Sequence, residues 1–262
     1  MRGTVEVRLP EAGGTEVLID EVPVALVFDG VTQAVMMASP LDLHDFQRGF
    51  AYSEGLITAT EDLRDVDCLE LPEGIEVRGW LAPGAGEAFR ARRRAMAGPV
   101  GCGLCGIDSL REARRALPAP AAVAGPPVTP DDAPAALDAL RDVQHLQDLT
   151  RSCHAAGLWS PAQGLLMMRE DVGRHNALDK LIGAGLAAGL DPAQFAIVMT
   201  SRLSVDLVQK AAVWGAKCLI APSAPTALAV SEAECAGLQI VARARSTSTG
   251  FAFYCTSYDT PA

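Results

Sequence analysis

Apolar residues in the first third of the chain come in short runs broken by acidic and glycine positions. They are Val17-Leu18-Ile19, residues 22–28 and Ala34-Val35-Met36-Met37. Runs of this length between turn residues predict strands in a meander, with Asp29-Gly30 as a tight turn. Pro40-Leu41-Asp42-Leu43 then opens a helical stretch that continues through Phe46, Phe50 and Leu56. Residues 66–71 and 75–80 predict a second hairpin, joined around Pro72-Glu73-Gly74. The first hundred residues therefore read as mixed α+β.

Further along, Ser109-Leu110-Arg111-Glu112 has the form of a capping box opening a helix that runs to about Leu117. Residues 118–134 hold six prolines in company with alanine. Proline lacks an N–H and excludes helix, so this stretch predicts a linker, or an extended arm lying on the next domain. From residue 135 helix and strand alternate. Leu137, Leu140, Val143 and Leu149 mark a helix ending near Gly157, and Ala177, Leu178, Leu181, Ile182 and Leu186 give a second helical face. Residues 195–200, 217–221, 238–242 and 251–255 read as strands. Leu203, Leu207, Val208, Ala211 and Val213 mark a helix to Gly215, and residues 226–236 one stopped by Gly237. Strand–helix–strand succession predicts parallel pairing in a layered α/β domain. The expected division is an N-terminal α+β domain over 1–117, a linker over 118–134 and an α/β cofactor-binding domain over 135–262. No internal repeat is present.

A chain of 262 residues with 49% apolar and 21% charged positions holds one large or two ordinary globular domains. The net charge of −10 argues against general nucleic-acid binding, which rests on phosphate neutralisation. A local basic site for a phosphorylated small molecule remains open. Met1-Arg2-Gly3-Thr4 lacks the pattern of a signal peptide, and no run approaches the ~20 apolar residues of a bilayer span. Seven cysteines, an odd count over a long chain, suit a reducing cytoplasm. Cys68, Cys218, Cys235 and Cys255 read as small buried hydrophobes.

Cys102 and Cys105 differ. They stand in Gly101-Cys102-Gly103-Leu104-Cys105-Gly106, whose glycines leave the sulfurs uncovered in a loop. Arg90, Arg92, Arg93, Arg94, Arg111, Arg114 and Arg115 bracket them, opposed only by Glu87, Asp108 and Glu112. Cationic neighbours lower a thiol's pKa and raise its thiolate fraction. A single C-x-x-C fits a zinc pair, a dithiol redox switch, a persulfide carrier or two idle thiols. Zinc needs four ligands, and only Cys153-His154 offers a further adjacent pair, so no metal is expected.

A second cluster, residues 170–180, sits where a turn enters a helix. His175 and Asp179 share one face at i, i+4, Asn176 and Lys180 another, and Arg174 lies at the anion-favouring N-terminus. The bland alternative is a capped helix with solvated charges. Ser201-Arg202 and Ser223-Ala224-Pro225-Thr226 follow the carboxyl ends of predicted strands, the ligand side of an open α/β sheet, and Arg243 and Arg245 end another strand. No Walker loop, G-x-G-x-x-G or serine elbow is present.

Together these segments resemble the formate dehydrogenase accessory sulfurtransferase family, FdhD/NarQ. The matching residues are Cys102 to Gly106, residues 170–180, Arg202 with Ser204 and Lys210, and Ser223 to Thr226. Glu21-Val22-Pro23-Val24-Ala25 and Ser53-Glu54-Gly55-Leu56-Ile57 match upstream. The resemblance implies a C-terminal three-layer domain of cytidine-deaminase-like fold beside a smaller N-terminal domain, with the C-x-x-C loop between them. The deaminase zinc signature H-x-E with P-C-x-x-C is absent. It implies that a cysteine desulfurase donates sulfane sulfur as a persulfide. Cys102 would carry it, with Cys105 assisting or resolving, to the molybdenum of bis(molybdopterin guanine dinucleotide) for formate dehydrogenase. GDP or GMP would mimic that cofactor.

The resemblance also aligns a cofactor-contacting turn with Arg243, Ala244, Arg245, Ser246, Thr247 and Ser248, where this chain lacks the family's usual Gly-Phe before the arginine. Arg174, His175, Arg202, Ser223 and Thr226 would complete the cofactor contacts. Arg151-Ser152-Cys153 replaces the usual Thr-Gly-Gly before His154. A homodimer is compatible with this reading. Two other readings stay open: a C-x-x-C redox or metal-binding regulator, and a non-catalytic cofactor chaperone.

Overall fold

The computed structural model describes residues 3–9, 13–87, 117, 128–243 and 252–254. Its N-terminal part opens with a two-stranded antiparallel ribbon, β1 (Thr4–Leu9) and β2 (Gly14–Ile19). A four-stranded sheet follows, built from β3 (Val22–Phe28), β4 (Val31–Ala38), β5 (Leu63–Leu71) and β6 (Gly74–Leu81), with helix α1 (Leu43–Ser53) between β4 and β5. The sheet order is β4-β3-β6-β5. Both expected hairpins are present, and Asp29 and Gly30 turn the first with φ of 49° and 77°, the positive pair of a type I′ turn. The three-strand meander is corrected: β2 pairs with β1, and β3 instead lies parallel to β6.

One face of this sheet buries Val24, Leu26, Phe28 and Val77 against Phe46 and Ala51 of α1. The fully buried Gln47 reaches from α1 to Val27 O at 2.9 Å. That is where the β3–β4 register shifts, so the amide satisfies backbone that the irregularity would leave unpaired.

The C-terminal part is a six-stranded sheet of order β12-β11-β10-β9-β7-β8. Its elements are α2 (Ala133–Arg141), α3 (His145–Thr150), β7 (His154–Ser160), β8 (Gly164–Asp171), α4 (Arg174–Ala187), β9 (Ala196–Met199), α5 (Val205–Trp214), β10 (Cys218–Ile220), α6 (Ala227–Ala236), β11 (Gln239–Ala242) and β12 (Ala252–Tyr254). As expected, β9, β10 and β11 run parallel, with α5 and α6 as crossovers. Helices α4, α5 and α6 cover one face of the sheet, while Ala133, Ala136 and Leu140 of α2 and Val128 cover the other. The layers are helix, sheet, helix. Val128 is buried and α2 starts at Ala133, so the end of the proline-rich stretch lies on this domain.

The helix expected to end near Gly157 is not formed. Helices α2 and α3 are short, and Gly157 lies inside β7, which pairs antiparallel with both β8 and β9. A side chain at Gly157 would meet Leu165 at 2.8 Å and Leu140 at 3.0 Å. The glycine marks close approach within a sheet, not a helix stop.

Helix α4 joins the two parts. Every residue from Asn176 to Gly185 is buried, because α4 has the sheet and α5 on one side and α1 on the other. At the α1–α4 crossing a Cβ on Gly49 would lie 1.7 Å from Asp179 O, and one on Gly183 would lie 1.9 Å from Asp45 O. Backbone meets backbone there. Among the described residues no helix is long and apolar enough to cross a membrane.

Candidate functional site

The cluster at 170–180 is mostly not a solvated face. Two buried ion pairs grow from it. Lys180 Nζ lies 2.6 Å from Asp171 Oδ2 with both side chains fully buried, and it also donates to Ser39 O at 2.9 Å. Asp171 accepts from the backbone N–H groups of Ser39 and Gly173 and from Asn176 Nδ2, which also reaches Met37 O. One turn on, Lys210 Nζ touches Asp179 at 2.9 Å, Glu54 at 2.8 Å and Ser53 Oγ at 2.9 Å. Burial disfavours the Lys210 ammonium, but the carboxylates of Asp179 and Glu54 outweigh it and hold its pKa above the ordinary value. Burial pushes the Asp179 carboxyl the other way, toward the neutral form. With both carboxylate oxygens and two further oxygens around one ammonium, the ionised pair is the state the geometry supports.

The family-like segments Ser53-Glu54 and Asp171 to Lys180 thus fasten the N-terminal sheet and α1 to α4 and α5. Removing one partner of a buried pair leaves a charge unmatched. Lys180→Met is therefore expected to cost about 3–5 kcal/mol, read as a fall in the denaturant midpoint at unchanged slope.

Glu170 and Cys153 are also structural. Glu170 accepts from Leu146 N and Gln147 N at the start of α3, and Cys153 Sγ lies 3.2 Å from Glu170 Oε1. Burial, then the Glu170 hydrogen bond and charge, push the Cys153 thiol far up. It stays a protonated donor, the opposite of an activated nucleophile.

What remains of the cluster faces the end of the sheet. Gly173 is the N-cap of α4 and Arg174 its first residue. The i, i+4 pair on α4 meets an i, i+4 pair on α5: His175 Nε2 pairs with the Asp206 carboxylate at the mouth, and Asp179 pairs with Lys210 beneath. Antiparallel β7 brings His154 to the same end, where its Nδ1 lies 3.3 Å from Thr200 Oγ1. Burial, then Arg174 and His175, press His154 toward its neutral form, against Asp171.

The strand-end loops continue this rim. Exposed Arg202 follows β9. Thr226 N donates to Leu203 O at 3.0 Å, and Arg243 N to Ser223 O at 3.4 Å, so the loops after β9, β10 and β11 are strapped together. Thr226 caps α6 by accepting from Ala229 N at 3.2 Å, so its oxygen is already in use. Arg243 is exposed, with φ of 55°.

Of the sequence-derived candidates, the fold gathers Arg174, His175, Arg202, Ser223, Thr226 and Arg243 at one end of one sheet. Cys102, Cys105, the bracketing arginines, the capping box at 109–112 and the segment Ala244, Arg245, Ser246, Thr247, Ser248 lie outside the described residues. The pattern missed His154, Thr200 and Asp206. Asp206 was legible as the i−4 neighbour of Lys210. His154 depended on an unforeseen hairpin.

Among the described residues no carboxylate pairs with Arg174, Arg202 or Arg243. Nor are three His, Cys, Asp or Glu side chains grouped there to hold a metal. The rim offers three guanidiniums, two imidazoles, a serine hydroxyl and the first-turn N–H groups of α4 at the carboxyl ends of parallel strands. That combination suits a phosphate-bearing ligand.

The model of the FdhD/NarQ family matches residues 19–258. The chain is 48% identical to "Sulfur carrier protein FdhD" of Agrobacterium fabrum, over 89% of this chain and 86% of the relative. It is 46% identical to the protein of that name in Cupriavidus necator, over 84% of this chain and 76% of the relative. A crystal structure assigned to a formate dehydrogenase accessory protein from Desulfotalea psychrophila superposes with a TM-score of 0.68 at 24% identity, covering 97% of this chain and 96% of that one.

Proposed function

The chain belongs to the FdhD/NarQ family, and we propose on that footing that it is a sulfur carrier in the maturation of formate dehydrogenase. It takes sulfane sulfur from a cysteine desulfurase on Cys102, with Cys105 assisting or resolving. It passes the sulfur, as a sulfurtransferase, to the molybdenum of bis(molybdopterin guanine dinucleotide), bound as substrate at the rim. The observation that carries the reading is Cys102-Gly103-Leu104-Cys105-Gly106 in a chain nearly half identical to a protein named for sulfur carriage.

In the loading step the Cys102 thiolate attacks the outer sulfur of the donor persulfide. A new S–S bond forms on Cys102, the donor's S–S bond breaks, and the donor leaves as thiolate. The sulfane sulfur moves without net oxidation. Bracketing arginines favour the attacking thiolate. Within this reading the C-terminal domain keeps a deaminase-like layered fold without deaminase chemistry, the protein works in the cytoplasm, and a homodimer is compatible with it.

Rim arginines attract the cofactor's diphosphates, as guanidinium forks do, and the guanine edge sets the preference. Calorimetric titration with GDP and ADP is the test, and GDP is expected to bind at least tenfold tighter. A site built to hydrogen-bond guanine leaves its own groups unpaired against adenine, at about 1–3 kcal/mol per group. Arg243→Ala is expected to weaken both nucleotides. Equal affinities would remove the guanine part of the proposal.

A further inference from the structure

Strand β4 of the N-terminal part ends at Ala38, and the next residue, Ser39, is fully buried against the turn that leads from β8 into α4. We propose that Ser39 is a positioning residue for the ligand rim: it holds the Asp171-Val172-Gly173 turn, and through it Arg174 and His175, in the geometry that receives the ligand. Occupancy of the rim is thereby coupled to the seating of the N-terminal part. The inference rests on the reading that the rim holds a phosphate-bearing ligand.

The turn has little of its own to hold it. Strand β8 ends at Asp171 and α4 begins at Arg174, so Val172 and Gly173 alone redirect the chain. Within the turn, Gly173 N donates to Asp171 Oδ1 at 2.8 Å. The rest comes from the N-terminal part. Ser39 Oγ accepts from Val172 N at 3.1 Å, and Ser39 N donates to Asp171 Oδ2 at 3.0 Å. Ser39 O accepts from Lys180 Nζ at 2.9 Å. The hydroxyl, N–H and carbonyl of one buried residue are thus all engaged on the connection and the first turns of α4. Asn176 Nδ2 adds a second strap, bridging Asp171 Oδ1 at 2.9 Å and Met37 O at 2.8 Å.

The arrangement is stiff. Pro40 follows Ser39 and disfavours helical backbone there, and Leu41 N closes on Ser39 O at 2.7 Å. A Cβ on Gly173 would lie 2.9 Å from Asn176 Nδ2 and 3.4 Å from Asp171 Oδ1, so the turn is packed against its own partners. Without the Ser39 hydroxyl, Val172 N has lost its acceptor, and the turn must shift or admit water to satisfy it. Arg174 and His175 are the next two residues beyond the turn, so a shift re-aims both. The hydrogen bonds of Ser39 go to the turn and to Lys180. It acts through the backbone and not on the ligand.

Linkage makes the coupling reciprocal. If the seated end of β4 favours the ligand-receiving turn, a bound ligand favours that seating by the same factor. The segment that carries Cys102 leaves the N-terminal part after β6. The part of the chain that issues the sulfur-carrying segment therefore also shapes the site of the sulfur acceptor.

Calorimetry on the full chain tests this, with GDP and inorganic pyrophosphate as probes. Ser39→Ala removes the hydroxyl alone and should weaken both probes about tenfold, within the usual range of a coupling factor. Val77→Ala is the control, since Val77 is fully buried on β6 within the N-terminal core. It should lower the denaturant midpoint at least as far as Ser39→Ala and bind both probes as wild type does. A purely structural Ser39 would lower the midpoint and leave the affinities of the folded protein unchanged, which overturns the proposal.

Hydrogen exchange on wild type gives a second readout that needs no variant. GDP should slow exchange at Ser39 N and Val172 N about tenfold, and unchanged exchange at both with GDP bound overturns the coupling. The outcomes separate this inference from the reading beneath it. Wild-type binding that Ser39→Ala leaves intact keeps the cofactor reading and removes the inference. Binding of neither probe by wild type removes the rim reading and the inference with it.

Discussion

Alanine at Gly49 is expected to leave little or no folded protein. Its Cβ would sit 1.7 Å from Asp179 O, where no rotamer gives relief because both atoms are rigidly placed. Helices α1 and α4 would have to separate by more than an ångström. That separation pulls Ser53 and Glu54 on α1 from Lys210 and Asp179, whose contacts are 2.7–3.0 Å. Overpacking alone costs about 1–3 kcal/mol, and breaking the buried network adds about 3–5 kcal/mol. The sum approaches the ~5–15 kcal/mol total stability of an ordinary domain. Gly14→Ala is the control, since nothing lies within 4 Å of the added methyl. Soluble yield and denaturant midpoint of the two variants decide the matter, and a Gly49→Ala midpoint within ~1 kcal/mol of wild type would remove the crossing from the account.

That crossing also explains what the sequence could and could not convey. Short apolar runs between turn residues announced β3 to β6, because turn residues bound each strand, and β3 is buried at three successive positions, Leu26, Val27 and Phe28. Parallel β9, β10 and β11 were legible as unbroken apolar runs, as strands covered on both faces are. Strand β1 alternates polar and apolar over TVEVRL and was open to the same reasoning. The β7–β8 hairpin was hidden. His154–Ser160 is buried on both faces, so it has no alternation, and its glycine resembles a helix stop.

The polar cluster had the right grouping and a different purpose. Its i, i+4 pairs did share faces, yet a sequence cannot show that Asp179 and Lys180 point into protein instead of water. Their partners, Lys210, Ser39 and Ser53, lie between 31 and 141 residues away. Only Arg174 and His175 were left for the rim. The pairing of His175 with Asp206 is tertiary and had no local signature beyond the spacing of Asp206 and Lys210.

Replacement of Cys102 by serine should abolish sulfur carriage altogether. A serine hydroxyl is about as acidic as water and forms no bond to sulfane sulfur, whereas a cysteine thiol near pKa ~8.5 supplies thiolate at neutral pH. Three of the four thiols among the described residues are poor substitutes for it. Cys153 and Cys218 are buried, Cys68 is half-buried, and the Cys153 thiol is held protonated by burial and Glu170. Cys235 is exposed and is the natural internal control, a reachable thiol without the glycine and arginine setting of Cys102. Cys105→Ser should load but turn over slowly if the second thiol assists release.

The most direct measurement is mass spectrometry of the intact chain after incubation with a cysteine desulfurase and cysteine, followed by mapping of the added mass. Wild type is expected to gain the mass of one or more sulfur atoms on the peptide containing Cys102, and Cys102→Ser to gain none there and to leave formate dehydrogenase inactive. Equal labelling of Cys102→Ser at Cys235 or elsewhere, with formate dehydrogenase still activated, would contradict the carrier role of Cys102.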